Sequence, residues 1–191
     1  MISRKTLINP ALTGISPRPM QTYGKTPNGT RIVFREVKPE DLLEVMNINR
    51  VCLPENYTYS FFESIAKDYP KAFWVAEVDG RIVGYIMCRV ERIFSKLDLL
   101  RVRKAGHIVS VAVLPNYRRM GIASGLIRLA SRELATTYGC DEVYLEVRVS
   151  NLQAISLYKK LGFKTVNIQK SYYADGEDAS IMAKHLEPHE T

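Results

Sequence analysis

The sequence has few of the features that mark membrane, secreted or metal-binding proteins. Its three cysteines, Cys52, Cys88 and Cys140, lie far apart and form no Cys-x-x-Cys pair. Because an odd number cannot pair completely, we expect reduced thiols and a cytoplasmic location. No apolar run is long enough to cross a bilayer, and no apolar signal-peptide core lies near the N-terminus. We therefore expect no membrane partner.

Two further absences concern metals and nucleic acids. The chain has three histidines, and they show no metal-ligand spacing. It also lacks an aromatic-rich nucleic-acid-binding motif. We therefore expect no required metal and no sequence-specific nucleic-acid partner.

Acidic residues are absent from the first 30 positions, which hold the basic residues Arg4, Lys5, Arg18 and Lys25. More than half of the net charge of +7 therefore lies in this segment. Four of the nine prolines also lie there, and no periodicity is visible. We predict a flexible basic N-terminal extension over residues 1–29, followed by one domain over residues 30–191. The extension is either a leader without a partner or an arm that contacts a ribosome surface.

Apolar periodicity predicts the elements of this domain. Strands are expected near residues 32–37, 73–77, 81–90, 107–113, 143–149, 163–168 and 179–185, and helices near residues 39–49, 60–67, 122–137 and 151–161. Residues 91–105 are predicted as a polar, basic connection. The order indicates an α/β fold, with a mixed, twisted central sheet of about seven strands and about four helices on both faces. The strands that flank the third helix should be parallel neighbours.

A glycine-containing turn follows the apolar run 108–113 and opens the third helix. Its sequence is Arg118-Arg119-Met120-Gly121-Ile122-Ala123. The amides at a helix start are unpaired and carry partial positive charge, which suits them to bind phosphates. Gly121 has no Cβ, so a ligand can approach its backbone closely. The two arginines add forked donors for phosphate oxygens.

A second motif lies downstream, Tyr144-Leu145-Glu146-Val147-Arg148-Val149-Ser150-Asn151, followed by Ala154, Leu157 and Tyr158. Together with the glycine turn and the ending Leu161-Gly162-Phe163, it resembles the signature segments of the GNAT acetyltransferases. The resemblance spans about residues 31–186. It implies the GNAT fold and acetyl-CoA as co-substrate.

Three further segments narrow the resemblance: residues 53–57, residues 106–110 and residues 172–179. They are similar to the catalytic subunits of protein N-terminal acetyltransferases, above all to the archaeal Ard-type and RimI-type enzymes. Such enzymes acetylate the α-amino group of proteins, often during translation. The implied partners are protein or nascent-chain N-termini, with a ribosome or an auxiliary subunit as further candidates. Broad specificity for the N-terminal residue is expected.

The resemblance also assigns coenzyme-contacting residues. Backbone groups of Val111, Ala112 and Val113 should bind the pantetheine arm, as a strand edge binds an extended ligand. The pyrophosphate should be held by Arg118, Arg119, Met120, Gly121, Ile122, Ala123 and Ser124. Asn151 and Tyr158 match further coenzyme positions. Asn151 is also a helix-cap candidate, and Tyr158 also fits a core position on a helical stripe.

Acetyl transfer needs a neutral amine, because only the lone pair attacks. An α-amine titrates near neutral pH, so a modest base suffices. Glu146 projects opposite to its apolar neighbours, and His107 begins the preceding strand. We assign deprotonation to both residues jointly. The alternative interpretation is that Glu146 is a solvated strand carboxylate and His107 a hydrogen-bonded structural histidine. The phenol of Tyr158 could protonate the leaving thiolate.

A peptide N-terminus must enter as an extended chain. Tyr57 on one loop and Tyr172 with Tyr173 on another can wall a narrow slot that Glu146 borders. Glu55 is expected to shape the pocket for the first residue. Such a slot would exclude an internal lysine, which has chain on both sides. The alternative interpretation is that the three tyrosines only anchor their loops.

Three alternatives stay open. One is a RimI-like enzyme specific for a single ribosomal protein. Another is a small-amine acetyltransferase, which would not need the tyrosine-bearing segment 172–179. The third, from a different class, is a non-catalytic coenzyme-A-binding regulatory module, which would not need both Glu146 and His107.

Overall fold

The computed structural model describes residues 21–25, 29–98 and 100–187. They form a single eight-stranded sheet. The strands are β1 Gln21–Lys25, β2 Arg31–Glu36, β3 Phe73–Val78, β4 Arg81–Phe94, β5 Val102–Val113, β6 Glu142–Arg148, β7 Lys164–Gln169 and β8 Ala179–His185. The helices are α1 Leu42–Cys52, α2 Tyr59–Asp68, α3 Ile122–Thr136 and α4 Leu152–Lys160.

The strands follow the order β1-β2-β3-β4-β5-β6-β8-β7 across the sheet. All neighbours are antiparallel except β5 and β6, which run parallel and are connected through α3. The prediction that the strands flanking α3 are parallel neighbours is confirmed. A parallel pair places two strand ends at the same edge of the sheet, next to the start of the connecting helix.

Alternating side chains of the sheet build two cores, one on each face. On β3, for example, Trp74 packs toward α3 and α4, whereas Phe73 packs toward α1 and α2. Both aromatic side chains are fully buried. The predicted placement of helices on both faces is confirmed.

Helix α3 lies very close to the sheet at two glycines. A Cβ built on Gly106 of β5 would lie 2.5 Å from the Leu134 side chain of α3. A Cβ built on Gly125, in the first turns of α3, would lie 2.5 Å from the Phe34 ring of β2. Since such contacts are far inside van der Waals distance, only glycine allows this approach at either position.

Two expectations about the sheet need correction. Strand β1, at the sheet edge, was missed, because its residues lie within the predicted extension and their alternation is short. Residues 91–105 were predicted as a connection, but β4 extends to Phe94 and β5 begins at Val102, so most of them form a hairpin. Its paired strands were missed because the charged residues stand in adjacent pairs, Glu91-Arg92 and Arg103-Lys104, and interrupt the apolar alternation.

Residues 1–20 and 26–28 lie outside the described residues, so the division into an extension and a domain stays a prediction. No described helix combines the length and the apolar character that crossing a bilayer requires.

Candidate active site

Strands β5 and β6 form a short parallel pair near the start of β6 and then separate. Their register covers Ala105–His107 against Glu142–Tyr144. A β-bulge marks the separation, because Ser110 pairs with Met87 of β4 and Ile108 pairs with Cys88, leaving Val109 as an extra residue on β5. The remainder of β5 therefore has a free edge that faces an opening toward β6, and the residues predicted to bind the pantetheine arm, Val111, Ala112 and Val113, lie in this part of the strand.

His107 and Glu146 meet at this point. The Nε2 atom of His107 lies 2.7 Å from Oε2 of Glu146, a hydrogen bond across the two strands. The side chains are 11% and 15% exposed, respectively, so both are shielded yet reachable. The structure thus brings together the two residues to which the sequence analysis assigned deprotonation.

A second carboxylate lies on the other side of the imidazole, and the sequence analysis missed it. Oε1 of Glu91 lies 3.6 Å from Nδ1 of His107. Tyr144 stacks on the His107 ring, with centroids 4.5 Å apart, and its hydroxyl donates to Oε2 of Glu91 at 2.5 Å. Arg89 forms an ion pair with Glu91. Glu91 was treated as part of a polar connection, so its place beside the site was not recognised.

The glycine turn has the geometry of an anion cradle. Gly121 is the N-cap of α3 with φ +81°, and a Cβ there would meet no protein atom within 4 Å. Arg119 also has positive φ, +63°. Glycine is therefore required for backbone conformation, while the space before the helix stays open. Arg118 is partly committed elsewhere, since its Nε donates to the Val113 carbonyl at 3.0 Å.

Asn151 and Tyr158 lie at opposite ends of α4. The side chain of Asn151 accepts a hydrogen bond from the Ala154 amide at 3.1 Å, which confirms its role as a helix cap. Tyr158 is buried in the core cluster that α3 also contributes to, with its ring 5.7 Å from that of Phe163. Burial raises the pKa of Tyr158 above its ordinary value, so the phenol keeps its proton at neutral pH.

The three tyrosines predicted to wall the slot, Tyr57, Tyr172 and Tyr173, are all close enough to Glu146 for its charge to raise their pKa. Burial, followed by Glu55 and Glu146, raises the pKa of Tyr57. Burial and then Glu146 raise the pKa of Tyr172, whose ring lies 5.0 Å from that of Tyr173. The Tyr57 hydroxyl also reaches the carbonyl of bulge residue Val109, at 3.4 Å. Two distant loops therefore converge on the opening.

Arg148, at the end of β6, joins these loops, and its importance was missed in the sequence. Its guanidinium contacts Glu55 of the α1–α2 loop at 2.6 Å, and Asp175 and Glu177 of the β7–β8 loop at 2.7 Å each. It also lies 4.1 Å over the Tyr173 ring. We refer to Arg148, Glu55, Asp175 and Glu177 as the loop clamp.

The clamp is supported from both sides. Asn49 of α1 donates a hydrogen bond to the Glu55 backbone carbonyl at 3.2 Å, which anchors the first loop. On the second loop, the Ser150 amide donates to Glu177 at 3.0 Å. The three acidic residues lie 27 to 93 residues from Arg148 along the chain, so the sequence alone does not show that they surround it.

Comparison with known proteins agrees with this geometry. Residues 42–163 match the acetyltransferase (GNAT) family. An N-alpha-acetyltransferase of Sulfurisphaera tokodaii is 50% identical over 165 residues, covering 86% of this chain and 99% of the relative. The N-terminal acetyltransferase A complex catalytic subunit NAA10 of Arabidopsis thaliana is 37% identical, with 81% and 78% covered.

Among solved structures, Arabidopsis thaliana NAA60 in complex with acetyl-CoA superposes with a TM-score of 0.72. The two chains are 25% identical, and 81% of this chain and 99% of that chain are covered. The chain belongs to the GNAT acetyltransferase family. The resemblance described from the sequence is confirmed, and so is the expected fold.

The described residues include groups that fit the coenzyme. The open, positively charged start of α3 and the edge of β5 beyond its pairing with β6 fit a coenzyme with a diphosphate and an extended arm. Among the residues that the structure covers, no group of three or more His, Cys, Asp and Glu side chains could hold a metal ion.

Proposed function

We propose that this chain transfers the acetyl group of acetyl-CoA to the free α-amino group of protein N-termini. One observation carries the proposal: the hydrogen-bonded pair of Glu146 and His107 lies where β5 and β6 separate, beside the tyrosine-bearing loops. The name of the Sulfurisphaera tokodaii relative supports the same activity.

The pair can accept the proton that blocks the reaction. An α-amino group has a pKa near 8, so about a tenth is neutral at pH 7. Glu146 binds the incoming ammonium through its carboxylate and takes up a proton, directly or through water. His107 shares that proton across the 2.7 Å contact. The amine lone pair is then free to form the new N–C bond.

Bound acetyl-CoA supplies the acetyl group as a thioester. When the C–S bond breaks, the departing sulfur needs a proton, and we assign Tyr158 to provide it. Because burial raises the pKa of this phenol, its hydroxyl is protonated before the step. An ammonium gives up two protons on its way to the amide: Glu146 and His107 take the first, and the second leaves the nitrogen after the N–C bond has formed. One of the two restores the Tyr158 phenol, and the other passes to solvent.

The loop clamp and the three tyrosines define the acceptor. Glu55, held by Arg148, shapes the space for the first residue, and Tyr57 and Tyr172 line the approach to Glu146. We propose that a chain end fits between these loops, whereas an internal lysine with chain on both sides does not. Broad preference for the first residue stays part of the proposal.

The partners follow from this acceptor. We propose protein or nascent-chain N-termini in the cytoplasm as substrates, without a membrane or sequence-specific nucleic-acid partner. The Arabidopsis thaliana relative is the catalytic subunit of a complex. This relative supports an auxiliary subunit as part of the proposal, whereas a ribosome contact is proposed from the sequence resemblance alone.

A peptide panel tests the proposed function. Acetyl-CoA turnover is measured against peptides that vary in residues one and two, together with an N-blocked peptide that contains lysine. We expect turnover with several free N-termini and none with the blocked peptide. Acetylation of the blocked peptide would contradict the narrow slot.

The same panel separates the alternatives. Turnover of one ribosomal N-terminal sequence alone would identify a RimI-like enzyme. Turnover of small amines in place of peptides would identify a small-amine acetyltransferase. Tight coenzyme binding without any turnover would identify a regulatory module.

A further inference from the structure

The imidazole of His107 lies between two carboxylates, one facing each ring nitrogen. Nε2 is 2.7 Å from Glu146, and Nδ1 is 3.6 Å from Oε1 of Glu91. Nδ1 is buried and has no hydrogen-bond partner among the described residues. Tyr144 stacks on the ring at an interplanar angle of 5°, which fixes the ring plane.

Glu91 is itself held in place and in its charged form. Tyr144 donates its hydroxyl to Oε2 of Glu91, and Arg89 pairs with the carboxylate. Burial opposes ionisation of Glu91, but Tyr144, His107 and Arg89 outweigh it and keep the pKa of the carboxyl below its ordinary value. A negative charge therefore faces Nδ1 at neutral pH.

A neutral imidazole carries one N–H. If Nε2 carried it, the lone pair of Nδ1 would face the Glu91 carboxylate at 3.6 Å, which is unfavourable, and Nε2 could not accept the proton that Glu146 takes up. An N–H on Nδ1 faces Glu91 and leaves Nε2 open toward Glu146, so a second proton that arrives at Nε2 gives each carboxylate a protonated nitrogen to face.

We propose that Glu91 is a positioning residue that acts through His107. It orients the imidazole and faces it with a negative charge, so that a proton taken from the substrate ammonium is stabilised between Glu91 and Glu146. Tyr144 serves the same purpose, since it stacks on the ring and holds Glu91. The role of Glu91 in catalysis rests on the proposed function. The effect of the Glu91 charge on His107 does not depend on it.

The charged and titratable groups that face His107 come from two strands. Glu91 and Arg89 lie on β4, and Glu146 and Tyr144 lie on β6. Replacing Glu91 by glutamine removes one negative charge and keeps a group that can accept from Tyr144. The protonated ring then loses a partner, so His107 should remain neutral to lower pH.

NMR titration of ¹⁵N-histidine-labelled protein tests this without any turnover. In Glu91→Gln the titration midpoint of His107 should move by about one pH unit to lower pH, the shift typical of losing one nearby opposite charge. Exposed His185 serves as internal reference. Glu36→Gln is the matched control, because Glu36 is a buried carboxylate paired with Lys71 away from the site. An unchanged midpoint in Glu91→Gln, or an equal shift in Glu36→Gln, would overturn the inference.

Kinetics provide the second measurement. Glu91→Gln should lower kcat about fivefold and leave peptide KM unchanged, and the acidic limb of the pH profile should move to lower pH. In a His107→Gln background, Glu91→Gln should have no further effect, because the residue acts through His107. An equal loss in that background would contradict the positioning role.

Tyr144→Phe keeps the stacked ring and removes the donated hydrogen bond. It should shift the His107 midpoint in the same direction by a smaller amount, and it decides the question if Glu91→Gln does not fold. No shift in Tyr144→Phe would then overturn the inference. If N-terminal peptides are not acetylated but the midpoint shifts as expected, the proposed function fails and the electrostatic inference stands.

Discussion

The coenzyme side and the acceptor side of the opening are built in different ways. On the coenzyme side, the phosphate cradle consists of backbone conformation within one continuous stretch, where Arg119 and Gly121 adopt positive φ before α3. The acceptor side consists of side chains from remote segments, joined by Arg148 to Glu55, 93 residues away, and to Glu177, 29 residues away. Local backbone makes one binding surface, and long-range ion pairs make the other.

The difference predicts different responses to change. A backbone cradle depends on one or two positions that must adopt a special conformation. On the acceptor side, several ion pairs together hold the two loops in place. The loss of one partner should therefore loosen the loops without abolishing the site. Between the two sides lie Glu146 and His107, on which both substrates depend.

The largest effect is expected from Glu146→Gln combined with His107→Ala. Without either proton acceptor, turnover should fall about a thousandfold, within the range for general base catalysis. Binding of the coenzyme, measured by calorimetry, should be unchanged, since neither residue belongs to the cradle. If turnover survives, the assignment of the base is wrong.

Gly121→Val should affect the coenzyme side alone. A β-branched residue at φ +81° strains the start of α3, and we expect coenzyme affinity to fall about thirtyfold. Gly80→Val is a matched control, because Gly80 has φ +75° and open space for a Cβ, but lies in the β3–β4 turn.

Both glycine variants should lose similar thermal stability, and only Gly121→Val should lose coenzyme affinity. Equal affinities in the two variants would remove the cradle from the mechanism. Arg119→Glu offers a second test, since charge reversal beside a bound diphosphate should also weaken binding.

Arg148→Met should affect the acceptor side. Without the clamp we expect peptide KM to rise about tenfold, with coenzyme affinity unchanged, because the ion-paired partners form a surface network of modest strength. Lys170→Met, which removes a neighbouring ion pair to Asp178, is the control and should leave KM unchanged. A fall in coenzyme affinity equal to the change in KM would contradict the separation of the two sides.

The clamp also predicts a pH dependence. A hydrogen bond with the Glu177 backbone and then Arg148 lower the pKa of Asp175, and Ser150 and then Arg148 lower that of Glu177. Groups with lowered pKa remain charged at and somewhat below their ordinary values and lose the interaction as pH falls further. Peptide KM should therefore rise at acidic pH in the unchanged protein and rise less in Arg148→Met.

This contrast also explains what the sequence revealed. The glycine turn, the Asn151 cap and the parallel strands around α3 are local patterns, so periodicity and turn chemistry identified them. His107 and Glu146 were chosen partly through family resemblance, and the structure brings them into contact. Glu91 and Arg148 escaped notice because the site residues that they contact, His107 for Glu91 and Glu55, Asp175 and Glu177 for Arg148, are 16 residues or more away, and only the fold places them together. The edge strand β1 is too short for its alternation to be distinguished from an irregular segment.

The two glycine contacts of α3 have a consequence for how the site tolerates change. This helix of 15 residues is about 22 Å long, and it rests directly on the sheet at Gly125 near one end and beneath Leu134 near the other. It therefore works as a rigid spacer that sets where the diphosphate lies relative to the imidazole. An alanine at Gly106, whose Cβ would meet Leu134 of α3, would tilt this spacer. We expect such a variant to bind both reactants with little change in affinity but to hold them in the wrong relative position for acetyl transfer.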